Sequence, residues 1–323
     1  MSKEQKAAPS GQAPERQWPA ERQWPSERSG AWRRELIPSL GPPPDIAGIR
    51  KKYLEIPYAS LSPAQRLDLY LPDEGDGPFP VILSIHAGGF AVGDKTDGQL
   101  TAVLRALGRG YAVASMNHRY ATEAPFPAQI KDVKAALRFL RASAGLYNLN
   151  PDRVAVWGAS SGAMLAALAG VSAGVADLEG PELGNPTYSS AVQAVVDWFG
   201  PIDFLTLAAQ AVAIGGPPIH TGEKSMTSVY LGHPLSQATD LAQKASPASY
   251  IGADTPPFLI QHGTDDLMVP VQQSQIFAAQ LAAKIGGDKA ILRLFEGAAH
   301  GGPAFAAAAN IDSILDFLDQ ALA

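Results

Sequence analysis

The 323-residue chain contains no cysteine, which excludes disulfide bonds, a thiolate nucleophile and cysteine-based metal sites. It also lacks an apolar run of about 18 residues, the length that a membrane-spanning helix requires. No phosphate-binding glycine loop, dinucleotide fingerprint or metal-ligand spacing occurs, so we expect no cofactor and no metal ion. The formal net charge of −6 argues against a nucleic-acid partner, because phosphate binding needs a basic surface.

From about residue 50 the chain alternates predicted strands with predicted helices. Apolar and polar residues alternate at 52–56 and 66–70, as in half-buried antiparallel strands, whereas 81–85 is almost continuously apolar, which is typical of a strand covered on both faces. Further strands are predicted at 111–116, 153–157, 194–199, 258–261 and 291–295, and helices at 100–107, 127–141, 161–170, 272–284 and 311–321. This pattern predicts an α/β fold, with a mainly parallel sheet of about eight strands and helices on both faces.

A serine flanked by glycines follows the predicted strand at 153–157 and precedes a helix. In the segment Gly158-Ala159-Ser160-Ser161-Gly162, the residues two before and two after the central serine approach each other and must be small. A serine on such a sharp turn projects its oxygen away from the sheet, and the helix N-terminus favours developing negative charge. We therefore interpret Ser160 as a nucleophile; the alternative is a glycine-rich turn with a serine present by chance.

A second glycine-rich segment, His86-Ala87-Gly88-Gly89-Phe90, directly follows the buried strand that ends near residue 85. Acyl transfer requires backbone N–H donors that face the oxyanion, and glycine lets the backbone approach a substrate closely. The predicted oxyanion hole consists of the N–H groups of Gly88 and Gly89, together with that of Ser161. The alternative is an ordinary turn at the end of a strand.

The base follows by elimination among six histidines. When the nucleophile precedes an acid and the acid precedes the base, the base lies late in the chain, which favours His300 beyond the last predicted strand. His262 ends a strand before the acid and is predicted to be structural, while His220 and His233 are predicted to lie on the surface. The acid is predicted to be Asp266, and its neighbour Asp265 is predicted to be a turn or solvent-exposed residue.

The segment before residue 46 differs in composition from the rest. Residues 1–45 are rich in Pro, Gln, Glu, Arg and Ser and contain a tandem repeat, ERQWPA followed by ERQWPS. We predict a flexible extension here and a catalytic domain at 46–323, in which 203–249 has no strand pattern and is a possible partial cap. Alternatively, Trp18, Trp24 and Trp32 pack over the active-site mouth or a partner subunit, so a homodimer is possible. The N-terminus lacks a secretory-signal pattern, which suits a cytoplasmic location.

The chain resembles the hormone-sensitive-lipase-like esterases, and within them the bacterial acetyl-esterase and feruloyl-esterase-like group. The resemblance covers about residues 66–302 and rests on the two glycine segments, on 67–72, 93–95, 117–120, 124–128 and 197–201, and on Asp266 and His300. It implies an α/β-hydrolase fold and hydrolysis of carboxylic esters with short acyl chains through an acyl-serine. Ala87 stands where the family usually has glycine, and the family's Ser-Ala-Gly-Gly is Ser160-Ser161-Gly162-Ala163 here.

Trp198, Phe199, Met268 and Val269 flank the predicted site and are predicted to line an apolar substrate pocket for a small or aromatic acyl group. Two other functions stay open at this point. One is an amide-bond hydrolase of the formamidase kind that uses the same three residues. The other is a non-catalytic binding protein on the same scaffold, which the presence of His300 disfavours.

Overall fold

Eight strands form one sheet in the part of the chain that the computed structural model describes, residues 41–323. Their order across the sheet is β1-β2-β4-β3-β5-β6-β7-β8. The first two pairings, β1 with β2 and β2 with β4, are antiparallel, and all the others are parallel. The strands are β1 Lys52–Pro57, β2 Arg66–Tyr70, β3 Phe79–Ile85, β4 Ala112–Met116, β5 Leu149–Ala159, β6 Ala194–Trp198, β7 Phe258–Gly263 and β8 Ala290–Phe295. The predicted sheet is confirmed.

Helices connect the parallel strands, as the alternating pattern predicted. They are α1 Leu100–Val103, α2 Ala128–Ala142, α3 Ala144–Tyr147, α4 Ser161–Val171, α5 Ala176–Glu179, α6 Phe204–Ala213, α7 Met226–Leu231, α8 Thr239–Ala245, α9 Gln272–Ile285, α10 Pro303–Ala306 and α11 Ala308–Ala321. The predicted helix at 100–107 is α-helical only in its first turn and continues as a 3-10 helix over Leu104–Arg109. It ends at Gly110, which adopts a left-handed conformation that glycine tolerates.

The core has two layers because the sheet is covered on both faces. Val81, Leu83 and Ile85 of β3 belong to one buried cluster, and Ile82 between them belongs to the cluster on the opposite face. Successive side chains of a strand point to opposite faces, so a strand buried on both sides must be apolar throughout. Every residue of α4 is buried, which explains why this helix consists almost entirely of small and apolar residues.

The segment 203–249 contains α6, α7 and α8 but no strand. It lies between β6 and β7 in the sequence, as predicted, and its assignment as a partial cap stays a prediction. The predicted extension falls largely outside the described residues, and so do Trp18, Trp24 and Trp32. Within 41–323, none of the helices combines the length and the hydrophobicity that crossing a bilayer demands.

Four loops at one edge of the sheet carry the predicted catalytic and oxyanion-hole residues. They follow the carboxyl ends of β3, β5, β7 and β8, which all run in the same direction. In parallel sheets this edge is where ligands bind, because loops from neighbouring strands meet there. The topology therefore brings together the ends of β3 and β8, Ile85 and Phe295, which are 210 residues apart in the sequence.

Candidate active site

Ser160 occupies the turn between β5 and α4 in a strained backbone conformation. Its φ and ψ are 53° and −122°, an unfavourable combination for any residue with a side chain. Its N–H donates to the carbonyl of Trp198 at 2.8 Å, which fixes the turn to the neighbouring strand. A Cβ atom on Gly158 would lie 2.2 Å from the carbonyl oxygen of Gly162, so only glycine fits at this crossing, as the spacing predicted.

The serine hydroxyl, an imidazole and a carboxylate form a continuous chain of hydrogen bonds. Nε2 of His300 lies 2.9 Å from Oγ of Ser160, and Nδ1 of His300 lies 2.6 Å from Oδ2 of Asp266. With Nδ1 protonated and donating to the carboxylate, Nε2 is free to accept the serine proton. The structure thus brings together the three side chains that the sequence selected, from loops 34 and 140 residues apart.

The carboxylate of Asp266 is almost completely buried and held on both oxygens. Its Oδ1 accepts from the N–H groups of Met268 at 2.8 Å and Val269 at 2.9 Å, while Oδ2 faces His300. Burial by itself would raise the pKa of Asp266, but the charge of His300 and the hydrogen bonds from His262 and His300 outweigh it and hold this pKa well below its usual range. Asp265 is exposed, as predicted.

His262 is a second imidazole on the same carboxylate, a contact that sequence reasoning missed. Its Nε2 lies 3.1 Å from Oδ2 of Asp266 and 2.8 Å from the carbonyl oxygen of Val269, and its Nδ1 lies 2.6 Å from Oγ of Ser274. Since both partners of Nε2 accept, Nε2 carries the proton and Nδ1 accepts from the serine hydroxyl. His262 is therefore structural, as predicted, and it also orients the acid.

The glycine loop after β3 presents its backbone towards the same edge of the sheet. Gly88, Gly89 and Phe90 have φ values of 119°, 58° and 63°, an unusual run of left-handed conformations. The carbonyl of Gly88 accepts from the N–H groups of Ala91 and Val92, both at 3.1 Å. Within residues 41–323, the N–H groups of Gly88 and Gly89 have no acceptor, which leaves them available to a ligand.

The segment after β4 holds this glycine loop in place. The Tyr120 hydroxyl donates to the carbonyl of Gly93, the N–H of Ala121 donates to the carbonyl of Phe90 at 2.7 Å, and the Asn117 side chain accepts from the N–H of Lys95 at 2.6 Å. These contacts explain why Asn117-His118-Arg119-Tyr120 accompanies the glycine motif. The segment after β4 thus fixes the loop backbone that carries the N–H groups of Gly88 and Gly89.

The four predicted pocket residues have different surroundings. Trp198 is buried between Trp157 and Phe305 and donates from Nε1 to Gln261 at 2.8 Å, so it is a core residue. Val269 also packs in the core, whereas Met268 is partly exposed. The ring of Phe199 lies 4.6 Å from the ring of His300, centroid to centroid.

The ring of Phe199 is buried and packs against both His300 and Phe305, so it supports the base instead of lining an open pocket. Only Met268, of the four, is both apolar and partly open to solvent beside the site. The sequence could not separate these cases, because all four residues are apolar and all four lie near the end of a strand.

The predicted surface location is wrong for His220 and correct for His233. His220 is only 4% exposed, because the 3-10 turn Pro218–His220 folds inward and Nε2 of the ring donates to the carbonyl of Met268 at 2.6 Å. His233 is exposed. No local signal distinguished the two histidines, since both have proline and glycine close by in the sequence.

A cavity of about 940 Å³ opens elsewhere on the molecule, between the start of α2 and the region of α5 and α8. Its walls include Phe126, Lys131, Asp177 and Tyr250, and none of the predicted site residues lines it. This cavity is therefore separate from the serine, histidine and aspartate that carry the candidate chemistry.

The chain is similar to known esterases. Residues 67–281 match the family described as BD-FAE. The chain is 32% identical over 244 residues to the esterase LipQ of Mycobacterium tuberculosis, a match that covers 74% of this chain and 55% of LipQ. A match to LipM, a probable carboxylic ester hydrolase of the same organism, is 30% identical and covers 70% of this chain and 51% of LipM.

Solved structures show the same fold. A truncated carbohydrate esterase from gut microbiota superposes with a TM-score of 0.76 at 31% identity, covering 86% of this chain and 99% of that one. A bifunctional GH43-CE protein of Bacteroides eggerthii gives a TM-score of 0.75 at 33% identity, covering 84% of this chain and 35% of that one. The chain spans about half the length of the curated relatives that it matches.

Proposed function

Because the chain belongs to the BD-FAE family, we propose that it is a serine carboxylesterase with Ser160 as nucleophile, His300 as base and Asp266 as the acid that orients the base. One observation carries this proposal: the hydrogen bonds of 2.9 Å and 2.6 Å that join the three side chains in the order the reaction needs. The sheet is that of an α/β-hydrolase, and the relatives named above are esterases.

The first half of the proposed reaction forms an acyl-serine. His300 takes the hydroxyl proton through Nε2 as Oγ of Ser160 bonds to the ester carbonyl carbon. The carbonyl π electrons move to oxygen, and this oxyanion accepts hydrogen bonds from the N–H groups of Gly88, Gly89 and Ser161. When the intermediate collapses, the bond to the alcohol oxygen breaks, and the alcohol leaves with the proton from His300.

The second half repeats these steps with water. His300 removes a proton from a water molecule as the water oxygen bonds to the acyl carbon. When the second tetrahedral intermediate collapses, the bond between the acyl carbon and Oγ of Ser160 breaks, the carboxylic acid leaves, and His300 returns the proton to Oγ. Asp266 stays ionised throughout, which its lowered pKa and its two backbone donors favour. It stabilises the imidazolium of His300 each time that this forms.

We propose that the substrates are esters with short or small aromatic acyl groups and that their alcohol part is a carbohydrate hydroxyl. Support for the alcohol part comes from the two carbohydrate-esterase structures at 31% and 33% identity. Support for a small acyl group comes from the packing of Ile219 and Met226 with Ala91 and Val92 in one buried cluster. This packing limits the space for an acyl group beside the glycine loop.

The test is hydrolysis of p-nitrophenyl esters of graded acyl length and of acetylated xylo-oligosaccharides, by wild type and by Ser160→Ala. We expect Ser160→Ala to lower kcat by about 10⁴-fold or more, since the nucleophile is lost. Ser60→Ala is the matched control and should keep full activity, because Ser60 is exposed and far from Ser160 in the sequence. A fluorophosphonate probe should label wild type and Ser60→Ala but not Ser160→Ala.

Other outcomes would identify other functions. Equal turnover by wild type and Ser160→Ala would refute the proposed nucleophile. Faster hydrolysis of matched amides than of esters would indicate an amide-bond hydrolase, and folded wild type that neither turns over esters nor takes up the probe would indicate a binding protein. A strong preference for long acyl chains would contradict the proposed substrate class.

The remaining sequence predictions concern the whole protein. A catalytic domain at 46–323 with a partial cap at 203–249, a homodimer and a cytoplasmic location stay predictions. Light scattering of the full chain would test the dimer, and limited proteolysis followed by mass spectrometry would test the boundary near residue 46.

A further inference from the structure

His220 connects the 203–249 segment to the loop that carries the acid. Its ring is 4% exposed, and its Nε2 donates to the carbonyl oxygen of Met268 at 2.6 Å across 48 residues of sequence. Its ring also lies near both His300 and Asp266.

The protonation state of the His220 ring follows from that bond. A carbonyl oxygen can only accept, so Nε2 carries the proton and Nδ1 of the neutral ring has a lone pair. Nδ1 is buried without a hydrogen-bond partner among the described residues. Burial lowers the pKa of His220, and the nearby His300 lowers it further, so the ring is a neutral donor at neutral pH.

The residue that His220 holds also holds the acid. The N–H of Met268 donates to Oδ1 of Asp266 at 2.8 Å, while the carbonyl of Met268 accepts from His220. A bond to that carbonyl restrains the chain next to the peptide N–H groups of Met268 and Val269, which fix one oxygen of the carboxylate. A single residue, Met268, thus links His220 to the carboxylate of Asp266 that contacts His300.

The same turn also packs on the glycine loop. Ile219, next to His220, belongs to a buried cluster with Ala91, Val92 and Met226, and Met268 packs against this cluster. Ala91 and Val92 are the residues whose N–H groups close the turn at Gly88. The turn Pro218–His220 therefore contacts two of the loops that surround Ser160.

We propose that His220 is a positioning residue that fixes the acid loop through the carbonyl of Met268 and so keeps Asp266 in register with His300. This inference rests on the proposed function, because it concerns the same reaction. His220 touches neither Ser160 nor the substrate in the proposed steps, and in this proposal its effect on the reaction passes through Met268 and Asp266.

The test compares His220→Leu, which removes the donor, with His220→Gln, whose amide N–H can still reach the carbonyl of Met268. The exposed His233 lies in the same segment, and His233→Leu is the matched control. We expect His220→Leu to lower kcat by about 10- to 100-fold with KM nearly unchanged, the usual cost of removing a group that orients an active-site residue. His220→Gln should recover most of that loss, and His233→Leu should behave as wild type.

The pH profile separates positioning from general damage. When Asp266 holds His300 less well, the imidazolium loses stabilisation, and the acidic limb of kcat/KM should move to lower pH in His220→Leu. The titratable groups near the base are Asp266, His262 and His220, and only His220 changes in the two variants. Misfolding would instead lower the fraction of molecules that a fluorophosphonate labels and leave the limb in place.

Several results would overturn the inference. These are His220→Leu with wild-type kcat, equal losses in His220→Leu and His220→Gln with both proteins folded by circular dichroism, or an unshifted acidic limb. Failure of the proposed function looks different, because wild type itself would then be inactive towards esters. Wild-type activity that depends on Ser160 together with an unaffected His220→Leu would reject this inference alone.

Discussion

Replacing Asp266 with asparagine tests the candidate site most sharply, because the surroundings of this residue dictate how the new amide must lie. The N–H groups of Met268 and Val269 donate to Oδ1 at 2.8 Å and 2.9 Å. Placing the amide NH₂ there would leave both buried donors unpaired, at about 1–3 kcal/mol each. The amide oxygen must therefore occupy the Oδ1 position, and the NH₂ group must face His300 and His262.

That orientation reverses the hydrogen bond to His300. In the wild type, Nδ1 of His300 lies 2.6 Å from an acceptor, Oδ2 of Asp266. The NH₂ group that replaces Oδ2 can only donate, so in the variant Nδ1 must lose its proton and Nε2 must carry one. A protonated Nε2 points at Ser160 and cannot accept from it. We expect kcat to fall by about 10⁴-fold, which corresponds to about 5 kcal/mol of transition-state stabilisation.

The assay is kcat on p-nitrophenyl acetate, with urea unfolding as the measure of stability. Asp265→Asn is the matched control, because Asp265 is exposed and, among residues 41–323, its side chain accepts only from the neighbouring Thr264 hydroxyl. It should keep wild-type kcat. A folded Asp266→Asn that retains more than about a tenth of wild-type kcat would refute the tautomer argument. A larger loss of kcat in Asp265→Asn than in Asp266→Asn would identify Asp265 as the acid.

Two further predictions concern the glycine loop and a buried acid. In Gly88→Ala, the new Cβ would lie 2.1 Å from the carbonyl oxygen of Val92 at a φ of 119°, so the loop must shift. We expect kcat/KM on p-nitrophenyl acetate to fall about 100-fold. Gly108→Ala is the control and should stay active, because the space around its Cβ is open. Burial raises the pKa of Asp197 to about 6, and its Oδ2 has no partner within the described part of the chain. The folded state then binds more protons than the unfolded state between about pH 4 and pH 6, so wild-type stability falls as pH rises through that window. Asp197→Asn should remove this slope and be more stable than wild type by up to about 3 kcal/mol above pH 6, as urea unfolding at pH 4.5 and pH 8 would measure; equal differences at both pH values would show that Asp197 ionises normally.

The positions of the strands along the chain and the glycine-rich segments at their ends could be predicted from local patterns. A strand covered on both faces is almost continuously apolar, and β3 is apolar except at Ser84. The turn at Ser160 needs glycine two residues to either side, since any Cβ at Gly158 or Gly162 would meet backbone atoms. Such requirements act within a few residues, and the sequence records them directly.

Element ends were less predictable. The helix at 100–107 continues as a 3-10 helix after its first turn, and β5 begins four residues earlier than its apolar core suggested. Both ends depend on contacts with other elements. Phe79 pairs with Leu149 across the sheet, for example, which extends β5 through a stretch that contains a proline.

The chain order of serine, acid and base follows from the sequence, because topology fixes which loops reach one edge of the sheet. Tertiary structure alone decided which other side chains meet there. His262 shares the carboxylate of Asp266, Phe199 packs on His300, and His220 reaches Met268 from 48 residues away. Each of these contacts joins side chains whose own neighbours in sequence impose no pattern, so only the folded chain, which places the loops within hydrogen-bond distance, determines them.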